Sequence, residues 1–289
     1  MAIGVQASQA GTIVQLLSAR ERPAALAYLG RAPRDDLSLL ELAANLGRKP
    51  APSEVAVQML GAWRAQRLVG LLSLRPSLML DSQMEVDVLD LFVPHLASIE
   101  TGLVKSVERV VDPLWERLAA LGRRALIDRN ETAYALLADE SLLRDSPDHV
   151  RLRPARRADL DALVIAARAS LREEQRPDPF DGDPASFRRW VRGRLHRARV
   201  LELDGRVAFA GYADVRRSEG WLIQGVYTWP AARRRGVAAL GMSDLVREAF
   251  ESGAQHVQLA VIDGNVAATR LYESLGFRRF ARLRTILFD

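Results

Sequence analysis

Cysteine is absent from this 289-residue sequence. Its absence removes disulfides, thiolate nucleophiles and cysteine metal sites from consideration, and a cytoplasmic location is the expectation. Lysine is nearly absent too. Lys49 and Lys105 are the only examples, and the other strongly basic residues are all arginine. That bias is the mark of a G+C-rich coding sequence, so much of the arginine is expected to be ordinary solvated surface. No run of eighteen apolar residues occurs, so no membrane helix is expected. The first residues lack a basic start followed by a long apolar core, so no secretion signal is expected either. Four histidines (His95, His149, His196 and His256) are scattered. No two stand at metal-ligand spacing on a helix, and no metal site is expected. Aromatic residues make up only 6% of the chain. They do not interleave with basic residues as a base-stacking platform requires, so nucleic acid is not an expected partner. Fixed-period repeats and low-complexity tracts are also missing.

What is present is enough apolar material for a real core, 48% of residues, and a length comfortable for two domains. Charge is uneven. Residues 1–150 carry 16 basic and 19 acidic side chains, and the remainder carries 25 and 17. The positive second half is suited to an anionic ligand.

Periodicity gives the organisation. "RPAALAYLGRA" and "DLSLLELAANLGR" have helical spacing. "EVAVQMLGAWRA" and "RLVGLLSLRP" read as strands joined by a tight turn near Gln66 and Arg67, with "PSLMLDS" a possible third. A helix follows over 86–96. "SVERVVDPLWERLAALG" reads as a helix pair or a helix kinked at Pro113. "RRALIDRNETAYALL" returns to strand character. The polar stretch "LLRDSPDHV" (142–150) is the expected boundary, giving domains 1–147 and 148–289. Beyond it come a short strand turning at Pro154, a helix, and a second helix capped by Asp183 with Pro184 at its first position. A hairpin at Asp204-Gly205, the strand "GWLIQGVYTW", a helix over 236–252, the strand "HVQLAVI", a helix over 265–275 and a final strand complete an α+β layout around a mixed sheet.

The stretch "GVYTWPAARRRGVAALGMSDLV" (225–246) carries the chemistry. A helix start leaves backbone N–H groups unpaired and bears partial positive charge. A glycine there lets the backbone approach a ligand closely, so the junction is an anion site. The strand before it can offer edge groups to an amide-bearing ligand arm. A pantetheine arm ending in a pyrophosphate, as in coenzyme A, meets both requirements. Arg233, Arg234 and Arg235 would add charge beside its phosphates.

"RRRGVA" (233–238) resembles the Q/R-x-x-G-x-G/A loop of the GCN5-related N-acetyltransferase (GNAT) family. "DGNVAATRLYESLGF" (263–277) resembles that family's N-x-x-A-x-x-x-Y-x-x-x-G-F segment, with Asn265, Ala268, Tyr272, Gly276 and Phe277 in register. The resemblance covers 151–289, and the nearest likeness is to bacterial two-part members with an N-terminal domain of unknown function. It implies a GNAT fold for the C-terminal domain. The preceding α+β domain reads as a degenerate GNAT-like half. There "TGLVKSVERVV" (101–111) stands where a second cofactor loop is expected but lacks the R-x-x-G-x-G pattern.

The resemblance further implies an acetyl-CoA-dependent N-acetyltransferase working by direct attack of an amine acceptor, whose identity the sequence leaves open. Tyr272 is the implied proton donor to the departing thiolate; the alternative is a packing aromatic. Backbone N–H groups of Val226, Tyr227 and Thr228 would hold the thioester carbonyl and pantetheine. Arg233, Arg234, Arg235, Gly236, Val237 and Ala238 would form the pyrophosphate loop, and Asn265 would cap its helix and is a candidate cofactor contact. Glu173 and Glu174 border the acceptor region and are candidate bases. Adjacent residues on a helix point apart, so at most one of them serves. Two other readings stay open: an acyl-CoA-binding regulatory module without turnover, and a transferase using another acyl or aminoacyl donor. The terminal strand "RLRTILF" can pair within its domain or across a dimer.

Overall fold

The computed structural model describes residues 7–8, 11–50, 54–147, 150, 152–180 and 182–289; His149 lies outside them. Among the described residues no helix is long and apolar enough to cross a membrane. The chain divides into two compact units, Met1–Thr132 with Ala281–Asp289, and Ala133–Phe280.

The first unit opens with strands β1 (Ala7–Ser8) and β2 (Thr12–Leu16), then helices α1 (Arg22–Leu29) and α2 (Leu37–Ala44). Strands β3 (Gln58–Arg64), β4 (Arg67–Arg75) and β5 (Met79–Leu80) follow, with α3 (Val86–Leu96), β6 (Gly102–Val107), α4 (Glu108–Ala120) and the start of β7 (Ala125–Leu136). Strands β1 to β5 form an antiparallel sheet in sequential order. The β3–β4 turn is made by Ala65 and Gln66, both at positive φ (47° and 62°), the two-residue geometry that suits strand twist. Period-two alternation then sorts the side chains. Met59 and Leu71 join the cluster under α1 and α2, while Leu60 and Leu72 join the one under α3 and α4. The second cluster also takes Ile286 and Phe288, 0% and 1% exposed. They come from the last strand, whose Leu283–Phe288 pair antiparallel with Val107–Gly102 of β6.

The second unit contains the end of β7, then β8 (Leu152–Pro154), α5 (Leu160–Glu173), α6 (Pro184–Gly193), β9 (Ala198–Leu203), β10 (Arg206–Arg216), β11 (Trp221–Thr228), α7 (Val237–Glu251), β12 (Val257–Ile262), α8 (Val266–Ser274) and the start of β13 (Arg278–Phe288). Its strand order is β12-β11-β10-β9-β8, with β7 beside β12. The β11–β12 pair is parallel and the others on that side are antiparallel, which makes the sheet mixed as expected. On β10, Phe209 and Ala213 enter the cluster shared with α7, while Ala210 and Tyr212 enter the cluster shared with α5 and α6. The sheet is therefore covered on both faces.

Two expectations change. The compact units divide at 132/133 and again at 280/281, whereas composition marks 147/148. The polar segment 142–147 is no free linker: Leu142 N–H donates to the Leu275 carbonyl (3.0 Å), Arg144 N–H to Ser243 Oγ (2.9 Å), and the Ser146 hydroxyl to Asp244 (3.1 Å). Residues 101–111 form β6 and the start of α4, with Val107 passing straight into the helix. The helix-pair reading of that region gives way to one 13-residue helix containing Pro113. In the order strand, helix, strand, helix, strand, the first unit's junction corresponding to 229–236 is 81–85, between β5 and α3.

Candidate active site

Gly225 bends β11. Its φ is +57°, and the β10 register slips between Ala210↔Tyr227 and Tyr212↔Gln224. An extra residue on one strand is a bulge, which turns that strand away from its neighbours. A Cβ at this glycine would stand 3.0 Å from Tyr212 Cδ2, so the bulge is built tightly against β10. On the other side, β11 pairs with β12 only through Trp221↔Val257 and Leu222↔Gln258. From Ile223 to Thr228 no β12 residue is in register with β11. The two parallel strands part, and the edge that opens includes Val226, Tyr227 and Thr228. Main-chain groups on such an edge are obligatory hydrogen-bonding groups and can accept an extended ligand as an added strand.

The chain then turns into α7. Trp229 N–H donates to the Ala208 carbonyl (3.0 Å), a short 3-10 turn spans Pro230–Ala232, and Ala232 is buried. Arg234 and Gly236 both have positive φ (60° and 77°). Gly236 caps α7 with no side-chain hydrogen bond, so the first N–H groups of a 15-residue helix receive no carboxylate or hydroxyl from the cap. A Cβ at Gly236 would meet only Arg144 Nη1, at 3.9 Å. Val237 is buried and Ala238 half-buried, anchoring the turn.

The three arginines do not act alike. Arg233 donates to the Thr228 carbonyl (2.9 Å) and to Glu173 Oε1 (2.7 Å), with its guanidinium 5.4 Å from the Tyr227 ring centre. Burial, and then the neighbouring Glu173 charge, push the Tyr227 phenol up from its ordinary range. Arg234 and Arg235 are exposed, and among the described residues neither makes an ion pair.

The adjacent glutamates diverge, as the helix geometry requires. Glu173 faces Arg233. Glu174 accepts from the Ser170 hydroxyl (3.2 Å), lies 3.5 Å from Arg176 Nη1 and acts electrostatically on Tyr272. Tyr272 is 6% exposed and meets Phe277 edge-on at 5.7 Å. Burial, with the Glu174 charge second, raises its phenol well above the ordinary value. It is therefore protonated at neutral pH. Asn265 accepts from Ala268 N–H (3.1 Å) and so caps α8. Gly276 has φ +95°, and a Cβ there would fall 2.3 Å from the Glu140 carbonyl oxygen. That glycine of the second segment is required by backbone approach.

Nearby aromatic side chains pack against one another. Phe187 is fully buried against Trp190 (5.5 Å) and Phe180 (6.0 Å) between α5, α6 and the sheet. Trp229 is half-buried against Tyr227 (5.2 Å). Gln224 is exposed just before the bulge. His256 is buried and shares a 2.8 Å hydrogen bond with Gln258. No group of three His, Asp or Glu among the described residues is arranged to hold a metal. Sequence reasoning missed Arg144, since a contact across 92 positions leaves no local signal.

Residues 164–277 match the model of the Acetyltransferase (GNAT) family. No curated protein matches the chain. Among solved structures, a fruit-fly (Drosophila) protein superposes with a TM-score of 0.71 at 13% identity, covering 96% of this chain and 99% of that one. A tandem GNAT protein from the clavulanic acid biosynthesis pathway gives 0.56 at 13% identity, covering 96% and 98%. A GCN5-related N-acetyltransferase from Sphaerobacter thermophilus gives 0.57 at 16% identity, covering 96% and 95%. These likenesses extend across the whole chain and concern the fold, tandem architecture included.

Proposed function

We propose that this chain, whose residues 164–277 form a domain of the GNAT acetyltransferase family, transfers an acetyl group from acetyl-CoA to an amine. The observation that carries the reading is the parting of β11 from β12, whose open edge runs directly into the glycine-capped start of α7. An amide-bearing pantetheine arm fits the edge, and a pyrophosphate fits the helix start. The fit is supported by the open space at Gly236 and by the unpaired charge of Arg234 and Arg235.

In this reading the N–H groups of Val226 to Thr228 polarise the thioester carbonyl. The acceptor amine attacks that carbon, forming the C–N bond as the C–S bond breaks. Tyr272 gives its proton to the departing thiolate. The amine proton leaves toward Glu174, directly or through a water. Glu174 acts electrostatically on Tyr272 whereas Glu173 is paired with Arg233, so Glu174 is the better candidate of the pair. The first unit, with no arginine–glycine junction, takes no cofactor in this reading.

Calorimetry with acetyl-CoA tests the reading. The parent is expected to bind one equivalent per chain. An Arg235→Glu, Gly236→Asp double variant is expected to bind at least about a hundredfold more weakly, since it places two carboxylates where phosphate oxygens would lie. A folded parent that does not bind acetyl-CoA would overturn the proposal. Tyr272→Phe is expected to keep the affinity and to lose turnover once an acceptor is found; full turnover by that variant would leave Tyr272 a packing residue.

A further inference from the structure

The positive cluster at the start of α7 is not the one that "RRRG" spells. Arg233 is turned away, held by the Thr228 carbonyl and Glu173. The guanidinium beside Gly236 belongs to Arg144, with Nη1 3.9 Å from where a Cβ of that glycine would be. Its backbone is fixed at that place from both sides. The Arg144 N–H donates to Ser243 Oγ at 2.9 Å, and its carbonyl accepts from Arg247 Nη2 at 3.2 Å. Asp244, one residue along α7, holds Ser146 and the Leu152 N–H. Arg144 is thus bound along α7 through its main chain, while its side chain is exposed and makes no ion pair among the described residues. An arginine whose backbone is anchored and whose charge is unspent, beside a helix start whose N–H groups receive nothing from the cap, is arranged for an anion.

We propose that Arg144 is a specificity-determining residue for the phosphate end of the acyl donor, acting with Arg234 and Arg235 in the place the sequence assigns to Arg233. The assignment rests on the acyl-CoA reading above. Phosphate oxygens are the shared chemistry, and two sources supply them on that ligand: the pyrophosphate and the ribose 3′-phosphate.

The test is calorimetry on the full chain with acetyl-CoA, 3′-dephospho-acetyl-CoA and S-acetyl-pantetheine, comparing the parent with Arg144→Ala and Arg144→Lys. Arg144→Ala is expected to weaken acetyl-CoA about tenfold, as for loss of a charged hydrogen bond, and to leave acetyl-pantetheine unchanged. Arg144→Lys should recover part of the loss. If the penalty persists with the 3′-dephospho compound, Arg144 reads the pyrophosphate; if it vanishes, Arg144 reads the 3′-phosphate. Both support the assignment. Because the anchoring contacts are main-chain, the thermal midpoint should hardly move. Equal affinity of parent and Arg144→Ala for acetyl-CoA would overturn the assignment, and so would an equal loss of acetyl-pantetheine. A parent that binds acetyl-CoA no better than acetyl-pantetheine would instead overturn the phosphate loop itself, and the assignment with it.

Discussion

The two units each pass from a strand into a long helix at a comparable point in their element order, and they finish that junction in opposite ways. In the second unit the junction is 229–236, with a left-handed glycine, exposed arginines and no side-chain cap on α7. In the first it is 81–85, where α3 also lacks a side-chain cap but the turn before it is held by buried carboxylates. Asp81, fully buried, accepts from the Leu71 N–H (2.7 Å), the Gln83 N–H (3.0 Å) and the Tyr28 hydroxyl (3.1 Å). Asp36, 3% exposed, accepts from the Ser82 N–H (2.7 Å) and hydroxyl (3.1 Å), and Arg109 reaches the Ser82 carbonyl. Both helices start without a side-chain cap, but in the first unit Ser82 and Gln83, in the turn before α3, give their N–H groups to the protein's own acids. One strand-to-helix junction is thus built with exposed arginines and the other with buried acids.

The largest effect on this comparison should come from emptying the acid-held junction. Asp81→Ala leaves the buried Leu71 N–H without its partner and removes the Gln83 and Tyr28 hydrogen bonds, which is expected to cost about 3 kcal/mol of stability. Denaturant unfolding would show it, while acetyl-CoA affinity should not change. A loss of affinity matching the loss of stability would mean that the junctions are not independent.

Titration gives a second, smaller contrast. Burial raises the Asp36 carboxyl to about 7, with the like charge of Asp81 adding to it, and burial raises Asp81 to about 6 against the opposing pull of its hydrogen bonds and of Arg109. Both acids hold protons more tightly folded than unfolded. Their contribution is therefore complete below the ordinary carboxyl value of 3.8 and is lost as pH rises through 6 and 7. Glu131, also in the first unit, runs the other way. Lys105 and Arg129 hold it down at about 2, so its stabilisation is intact throughout that window. The first unit's melting midpoint should fall between about pH 5 and about pH 8, and Asp36→Asn should flatten the slope. An unchanged slope in the variant would refute the assignment to Asp36.

The smallest expected effect is at the open junction. Arg233 and Glu173 are 42% and 50% exposed, so a double-mutant cycle with Arg233→Ala and Glu173→Ala should return a coupling below about 1 kcal/mol. A stronger coupling in acetyl-CoA affinity would make Arg233 part of the site after all.

How much of this was legible in the sequence depended on how locally each feature is encoded. Helix α7 was read over 236–252 and spans Val237–Glu251, and α8 was read over 265–275 and spans Val266–Ser274. A glycine at one start and a capping asparagine at the other are signals within a few residues. The Asp204-Gly205 turn was equally plain, with both residues at positive φ. Residues 101–111 were misread because β6 and α4 join without a turn residue between them. The division of β7 and β13 between units was invisible, since pairing between residues far apart in sequence has no compositional mark. At the site, the glycine and Tyr272 stood in recognisable segments. The turning aside of Arg233 depended on Glu173, 60 positions earlier, and the presence of Arg144 on the segment docked along α7.

The last nine residues, Ala281–Asp289, belong to the first unit, where Ile286 and Phe288 are core. That unit cannot close its interior until β13 has been made, although most of its chain precedes that strand by some 150 residues. Apolar surface on β6 and α4 waits for it meanwhile. A cut at 147/148 would leave the first piece without that strand and the second without the end of β7. The two halves of the sequence therefore do not coincide with the two compact units.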